Sequence, residues 1–173
     1  MKVWYVLMTI LILFLPGPGG EQLAANTNQQ NEICYLIKSS VEDNSWWQAR
    51  SFSEVKNKLS KYYSEPLLSK VTERTWNFIK RPTDWYCKTT VTSISVRYLT
   101  SQKAIASATL LNTDLVTGQL QKGTGYFSLH KTIAGWRIVA ADYHWEEKIK
   151  DPRYPHRRKS SNHHGDNQIT NMV

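Results

Sequence analysis

The hydrophobic period of this chain changes once, at Trp85. Before it, apolar residues recur at three- and four-residue steps, the spacing of one helix face. After it, they alternate, the spacing of one strand face. The later half reads as four strands joined by short connections, which predicts an antiparallel meander rather than parallel crossover units. The expected fold class is therefore α+β, with N-terminal helices packed on a curved, antiparallel four-stranded sheet, a cone or roll.

The helical half divides at its own signals. Ile33, Leu36, Ile37 and Val41 predict a first helix over residues 32–41, and Trp46-Trp47 a single short turn. Ser51 followed by Glu54 has capping-box spacing, and Val55, Leu59, Tyr62 and Tyr63 supply the face that follows. Pro66 opens a further helix, whose apolar positions are Leu67, Leu68, Val71, Trp76 and Ile79.

In the strand half, Ile94, Val96 and Tyr98 alternate with Ser95 and Arg97, but the alternation slips at Thr92-Ser93, which predicts a bulge. Residues 104–111 form the second expected strand. Residues 122–145 read as the last two strands, closed by a loop at residues 132–135 in which Gly135 permits the reversal.

The termini differ in composition from this domain. Lys2 precedes residues 3–15, an uncharged run too short for the about 20 residues of a spanning helix, and Pro16 to Gly20 break it. This pattern predicts a secretory signal peptide over residues 1–25, with an uncleaved membrane anchor as the alternative. Residues 26–31 read as a polar linker, 32–146 as the domain, and 147–173 as a basic tail too poor in apolar residues to order itself. The formal net charge of +8 favours acidic partners. With export expected, those are an anionic envelope polymer or a protein, with membrane association through the N-terminus and no nucleic acid.

The order of elements, together with Tyr62-Tyr63-Ser64-Glu65-Pro66-Leu67-Leu68, the run from Lys122 to Leu129 and Gly135-Trp136-Arg137-Ile138, resembles the nuclear transport factor 2-like superfamily, the cystatin-like α+β cone. The resemblance covers about residues 32–145. It implies a curved sheet wrapped around helices and no single activity. Members include isomerases and dehydratases that use Asp, His and Tyr inside the cone. They also include exported or tethered envelope domains and assembly factors of secretion and conjugation machines.

Asp142 and His144, two apart on the last strand, share one face, so a carboxylate can orient an imidazole for general-base work, with His130 on the neighbouring strand as a third member. The alternative is an exposed rim. Trp46, Trp47, Tyr62, Tyr63, Trp76, Trp85, Tyr126 and Trp136 either line a pocket or partner contact or fill the core. Adjacent Trp46 and Trp47 cannot both face inward. Cys34 and Cys87 permit a disulfide in an exported protein, and equally serve as small buried hydrophobes. In the tail, Arg153, Arg157, Arg158 and Lys159 are candidates for anionic partners. His156, His163 and His164 are either metal-catching or incidental. No nucleotide loop, nucleophile elbow, paired-zinc spacing or EF-hand pattern is present, and no cofactor or metal is expected.

The reading that follows is an exported bacterial cell-envelope protein acting as a non-catalytic binding or assembly domain. One alternative is a small-molecule binder or enzyme using the cone interior, and a second is a membrane-tethered subunit of a secretion or conjugation apparatus.

Overall fold

The computed structural model describes residues 18–81 and 86–146. The N-terminal apolar run, Trp85 and the tail with Arg153, Arg157, Arg158, Lys159 and its three histidines lie outside the described residues.

Three α-helices and one 3-10 turn precede four strands. Helix α1 spans Pro18–Glu42, the 3-10 turn Ser45–Gln48, α2 Phe52–Leu59 and α3 Leu67–Ile79. The strands are β1 (Cys87–Leu99), β2 (Lys103–Asp114), β3 (Leu120–Thr132) and β4 (Gly135–Trp145), in the order β1-β2-β3-β4, every neighbour antiparallel. The architecture is the expected one: three helices packed on one side of an open four-stranded antiparallel sheet.

Helix α1 is longer than its apolar pattern. The stretch read as a linker is helical, although nearly all of residues 26–31 are exposed. Among its described side chains burial begins at Ile33, with Ile33 and Ile37 buried completely. Each residue added ahead of that packed segment gains a backbone hydrogen bond without the cost of a new nucleus.

In α2, Ser51 Oγ accepts from the Glu54 N–H at 3.1 Å, while the Glu54 carboxylate accepts from the Arg50 N–H at 2.9 Å. This capping box reaches back one residue further than the usual form. Helix α3 buries Leu67, Leu68, Val71, Thr72, Thr75 and Phe78, leaving Trp76 and Ile79 half-buried at the margin. Two threonines thus belong to the core face. Thr72 is tolerated there because its hydroxyl donates to the Leu68 carbonyl at 2.6 Å, so no buried donor is left unmade.

The inner face of the sheet is built from Ala104, Ala106, Ala108 and Leu110 on β2, Phe127 and Leu129 on β3, and Trp136 and Ile138 on β4, all buried against the helices. The register slips between Val91 and Ser93, as expected, and again between Val96 and Tyr98. A third slip makes Val139 the extra residue opposite β3. The loop after β3 turns at Gly135, whose φ of +98° favours glycine.

Both sheet edges are met by the helical layer. The Ile138 N–H donates to the Tyr62 carbonyl at 2.9 Å and the Ser64 N–H to the Ile138 carbonyl at 3.1 Å, so the α2–α3 link pairs with β4. On the opposite edge the Val91 N–H donates to the Glu42 carboxylate at 2.9 Å. Such contacts occupy groups that an open edge would offer to another chain.

The cysteine pair needs a correction. Cys34 and Cys87 are half-buried thiols with no disulfide between them. Helix α1 is tied to the hairpin end of the sheet by Glu32–Lys131, at 2.8 Å, and to Val91 by Glu42. Cys34 lies ~12 Å back along α1 from Glu42, toward the hairpin end, and Cys87 lies ~13 Å beyond Val91 in the other direction. A disulfide needs Cα atoms within about 7 Å.

Candidate functional site

The inner face has room for rings because β2 and β3 supply small residues. A Cβ on Gly125 would lie 2.8 Å from the Phe127 ring and 3.4 Å from Tyr143, and one on Gly123 would lie 2.5 Å from Trp145 Cε3. The rings of Phe127 and Tyr143 meet edge-to-face, centroids 5.7 Å apart. The floor of the cone is thus covered by side chains of its own strands.

Hydroxyl groups are the polar chemistry of this interior. Tyr63 is buried, its hydroxyl shares a hydrogen bond with Ser40, and burial pushes it up to about 12. The Tyr143 hydroxyl is buried with no hydrogen-bond partner among the described residues. Burial, and then the neighbouring Tyr63, hold it well above the ordinary phenol range. Trp136 Nε1 is likewise buried and unpartnered among the described residues, and the Lys131 ammonium lies 5.4 Å from its ring centroid. The buried polar residues described are Thr72, Thr75 and Ser107, so among the described residues no carboxylate and no imidazole is buried. Neutral hydroxyls can donate to a bound polar atom, but they are poor proton acceptors at neutral pH.

Asp142 and His144 form a pair, Oδ2 to Nε2 3.0 Å, on the other side of the sheet. The bulge at Val139 decides this. Trp136 and Ile138 face inward, and past the extra residue the inward positions become Ala141, Tyr143 and Trp145, opposite Phe127, Gly125 and Gly123. Asp142 and His144 therefore face outward, 74% and 67% exposed, with the Tyr126 ring 5.6 Å from the imidazole. His130 also faces outward, opposite Lys103 and Arg137, six residues along β3 from the Thr124 that opposes His144. That is a separation of ~20 Å, so the three do not meet. Among the described residues nothing encloses the Asp142–His144 pair to exclude water.

The expected aromatic set divides among several places. Trp46 and Trp47 flank Phe78 of α3, centroids 6.3 and 5.3 Å away, with Trp46 half-buried and Trp47 exposed. Trp76 lies at the margin of the core under the Lys80 ammonium. Tyr62 is half-buried and donates to Asp43 Oδ2 at 2.7 Å; burial first, then this bond, raises its hydroxyl. Tyr63 and Trp136 are core residues, and Tyr126 is on the outer face.

The outer face itself was not legible as a site. Lys88, Ser93, Ser95, Arg97, Tyr98, Lys103, Ile105, Thr109, Lys122 and Tyr126 are all exposed on it, and helix α1 contacts the sheet from the other side. Arg97 Nε donates to Ser107 Oγ at 3.2 Å, which covers that buried hydroxyl. The alternation of β3, and of β1 between its slips, signals such a face, but alternation leaves open which side the helices take. Among the described residues no group of three or more His, Cys, Asp or Glu is placed to hold a metal ion.

No family model matches the sequence, and no curated protein does. Among solved structures, a putative aromatic ring hydroxylase from Novosphingobium aromaticivorans is 11% identical with a TM-score of 0.42, over 78% of this chain and 95% of that one. The intermembrane space region of the chloroplast protein ARC6 is 16% identical with a TM-score of 0.41, over 69% and 94%. Similarity this distant concerns the fold alone and carries no argument about activity. The class defined here is an α+β domain with a filled inner face and an open outer one.

Proposed function

We propose that this chain is a nuclear transport factor 2-like domain of the bacterial cell envelope, acting by binding or assembly rather than by catalysis. One observation carries the reading: Asp142 and His144 pair on the exposed face of the sheet, while no buried side chain among the described residues is a carboxylate or an imidazole. A general base works in a positioned, water-poor site. The partners that suit a chain of net charge +8 are an anionic envelope polymer or an acidic protein.

Export rests on Lys2 and the apolar residues 3–15. Among the described residues no helix is long and apolar enough to cross a membrane. The intact mass of the native protein in cytoplasmic, membrane and extracellular fractions tests the reading. A species trimmed near residues 20–25 outside the membrane supports it. Full-length protein confined to membranes favours the tethered subunit of a secretion or conjugation apparatus instead, and full-length protein in the cytoplasm overturns the envelope assignment.

A small-molecule binder using the cone interior is the second reading, and the Tyr143 hydroxyl favours it, because a buried hydroxyl with no partner among the described residues is a donor available to a ligand. A ligand that raises the melting temperature of the wild type but not of Tyr143→Phe would establish that use.

A further inference from the structure

On the outer face of the sheet the exposed cations outnumber the carboxylates. The carboxylates of Glu32, Asp43, Glu54 and Glu65 belong to the helices and their links, where each is engaged by a lysine, a hydroxyl or a backbone N–H. The outer face of the sheet carries exposed Lys88, Arg97, Lys103 and Lys122. Its one carboxylate among the described residues, Asp142, is already paired with His144. A sheet face with this imbalance favours an anionic partner.

Arg97 stands on the edge strand β1 and reaches toward β2. It is the extra residue of the second register slip, between Val96 and Tyr98, and of its nitrogens only Nε has a described partner, Ser107 Oγ. That bond steadies the guanidinium while its exposed end retains the paired donors that match a carboxylate or phosphate. Two exposed tyrosines flank it: Tyr98 at 52% and Tyr126 at 43%. They lie two strands and one row apart, a Cα separation of ~12 Å. Around them the face is a lattice of small hydroxyls, in which Ser93 Oγ donates to Thr109 Oγ1 at 3.0 Å.

We propose that the outer face of the sheet, between Arg97 and Tyr126, binds an acidic polysaccharide. Sugar rings lie on Tyr98 and Tyr126, whose flat apolar faces and polar tips suit a pyranose. The acid groups of the chain pair with Arg97, Lys103 and Lys122. The hydroxyl lattice exchanges hydrogen bonds with sugar hydroxyls. Tyr98 pairs with exposed Ile105, but the rest of the face is hydroxyls and cations, a mix that fits a glycan better than a protein interface, whose buried centre is more apolar. This inference rests on the envelope-binding reading above, which removes intracellular RNA and DNA as natural partners.

The experiment uses the full chain and three probes: polygalacturonate, uncharged dextran and polyuridylate. Wild-type protein is expected to bind polygalacturonate with an affinity that falls as salt rises, and to leave dextran unbound. Arg97→Ala and Tyr126→Ala are each expected to weaken binding at least tenfold with unchanged circular dichroism and melting temperature, while Tyr126→Phe retains it. Unaltered binding by both alanine variants, with loss on removal of residues 147–173, would overturn the face and leave the envelope reading standing on the tail. Preference for polyuridylate through the same residues would overturn both. A wild-type dimer in sedimentation that Tyr98→Ala dissociates would also overturn the inference, since the face would then be covered by a second copy.

Discussion

The Tyr62 hydroxyl donates to Asp43 Oδ2 across 2.7 Å, joining the residue that follows α1 to the link between α2 and α3. The same carboxylate accepts from the Ser45 N–H at 2.7 Å, and the Tyr62 carbonyl accepts from Ile138 on β4. One tyrosine thus ties α1, the α2–α3 link and the sheet edge together. Burial pushes the Asp43 carboxyl up, but the bonds from Tyr62 and Ser45, with the charge of Lys61, outweigh it and hold the group below its ordinary value.

Tyr62→Phe is expected to cost about 1 kcal/mol, below the range of about 1.5–3 for a buried bond to a charged group because the site is half-exposed. The folded carboxyl titrates below the unfolded one, so its stabilisation is present above about pH 4 and is lost as pH falls through the folded value. Urea melts of wild type and Tyr62→Phe should therefore converge on acidification. A gap that is constant from neutral pH to strong acid would contradict the charge-assisted bond.

Gly125→Ala and Gly123→Ala test the packing of the inner face. At Gly125 the new methyl meets the ring of Phe127, which is 1% exposed and has nowhere to go. At Gly123 it meets Trp145, a half-buried ring on the last residue of β4. Overpacking costs typically 1–3 kcal/mol where neighbours cannot shift, so Gly125→Ala should reach that range and Gly123→Ala fall below it. Thermal melts in the opposite order would contradict this account of the two glycines.

Glu42 closes part of the β1 edge. Glu42→Ala leaves the Val91 N–H without its acceptor and is expected to cost ~1–2 kcal/mol, whereas Glu42→Gln keeps an acceptor oxygen and should lose less. Amide hydrogen exchange at Val91 is the direct readout: fast in Glu42→Ala, protected in Glu42→Gln.

Tyr143→Phe removes a buried hydroxyl that has no described partner. Losing an unsatisfied group is neutral or stabilising, so the variant should be as stable as wild type or up to ~1 kcal/mol more so. A loss of stability in denaturant melts would mean that the hydroxyl is bonded, to a buried water for example.

His144→Ala touches an exposed pair. Surface substitutions of this kind change stability by about 0.5 kcal/mol or less, and the urea midpoint at neutral pH should barely move. A large loss of stability would mean that the imbedded role denied to this pair by its exposure is real after all.

Local chemistry made the elements legible. The Ser51–Glu54 capping signal, the strand alternation, the slip at Thr92-Ser93 and the reversal at Gly135 each act through neighbours in the chain, and each is found where the sequence places it. Other features depended on distant partners. Thr72 and Thr75 join the core because α3 turns them toward it. Cys34 and Cys87 stay apart because α1 crosses the sheet from Lys131 to Val91.

The candidate site shows the division most sharply. Periodicity alone determined that Asp142 and His144 share a face of β4. Which face they share was decided by pairing: with Trp136 and Ile138 directed inward, a regular strand would carry Asp142 and His144 inward too. The extra residue at Val139 reverses that parity against β3, turning Tyr143 and Trp145 onto the glycines and the acid–base pair into solvent. A bulge exists only with respect to a partner strand, so a single strand's sequence determines its alternation, and the tertiary structure decides which side of it is buried.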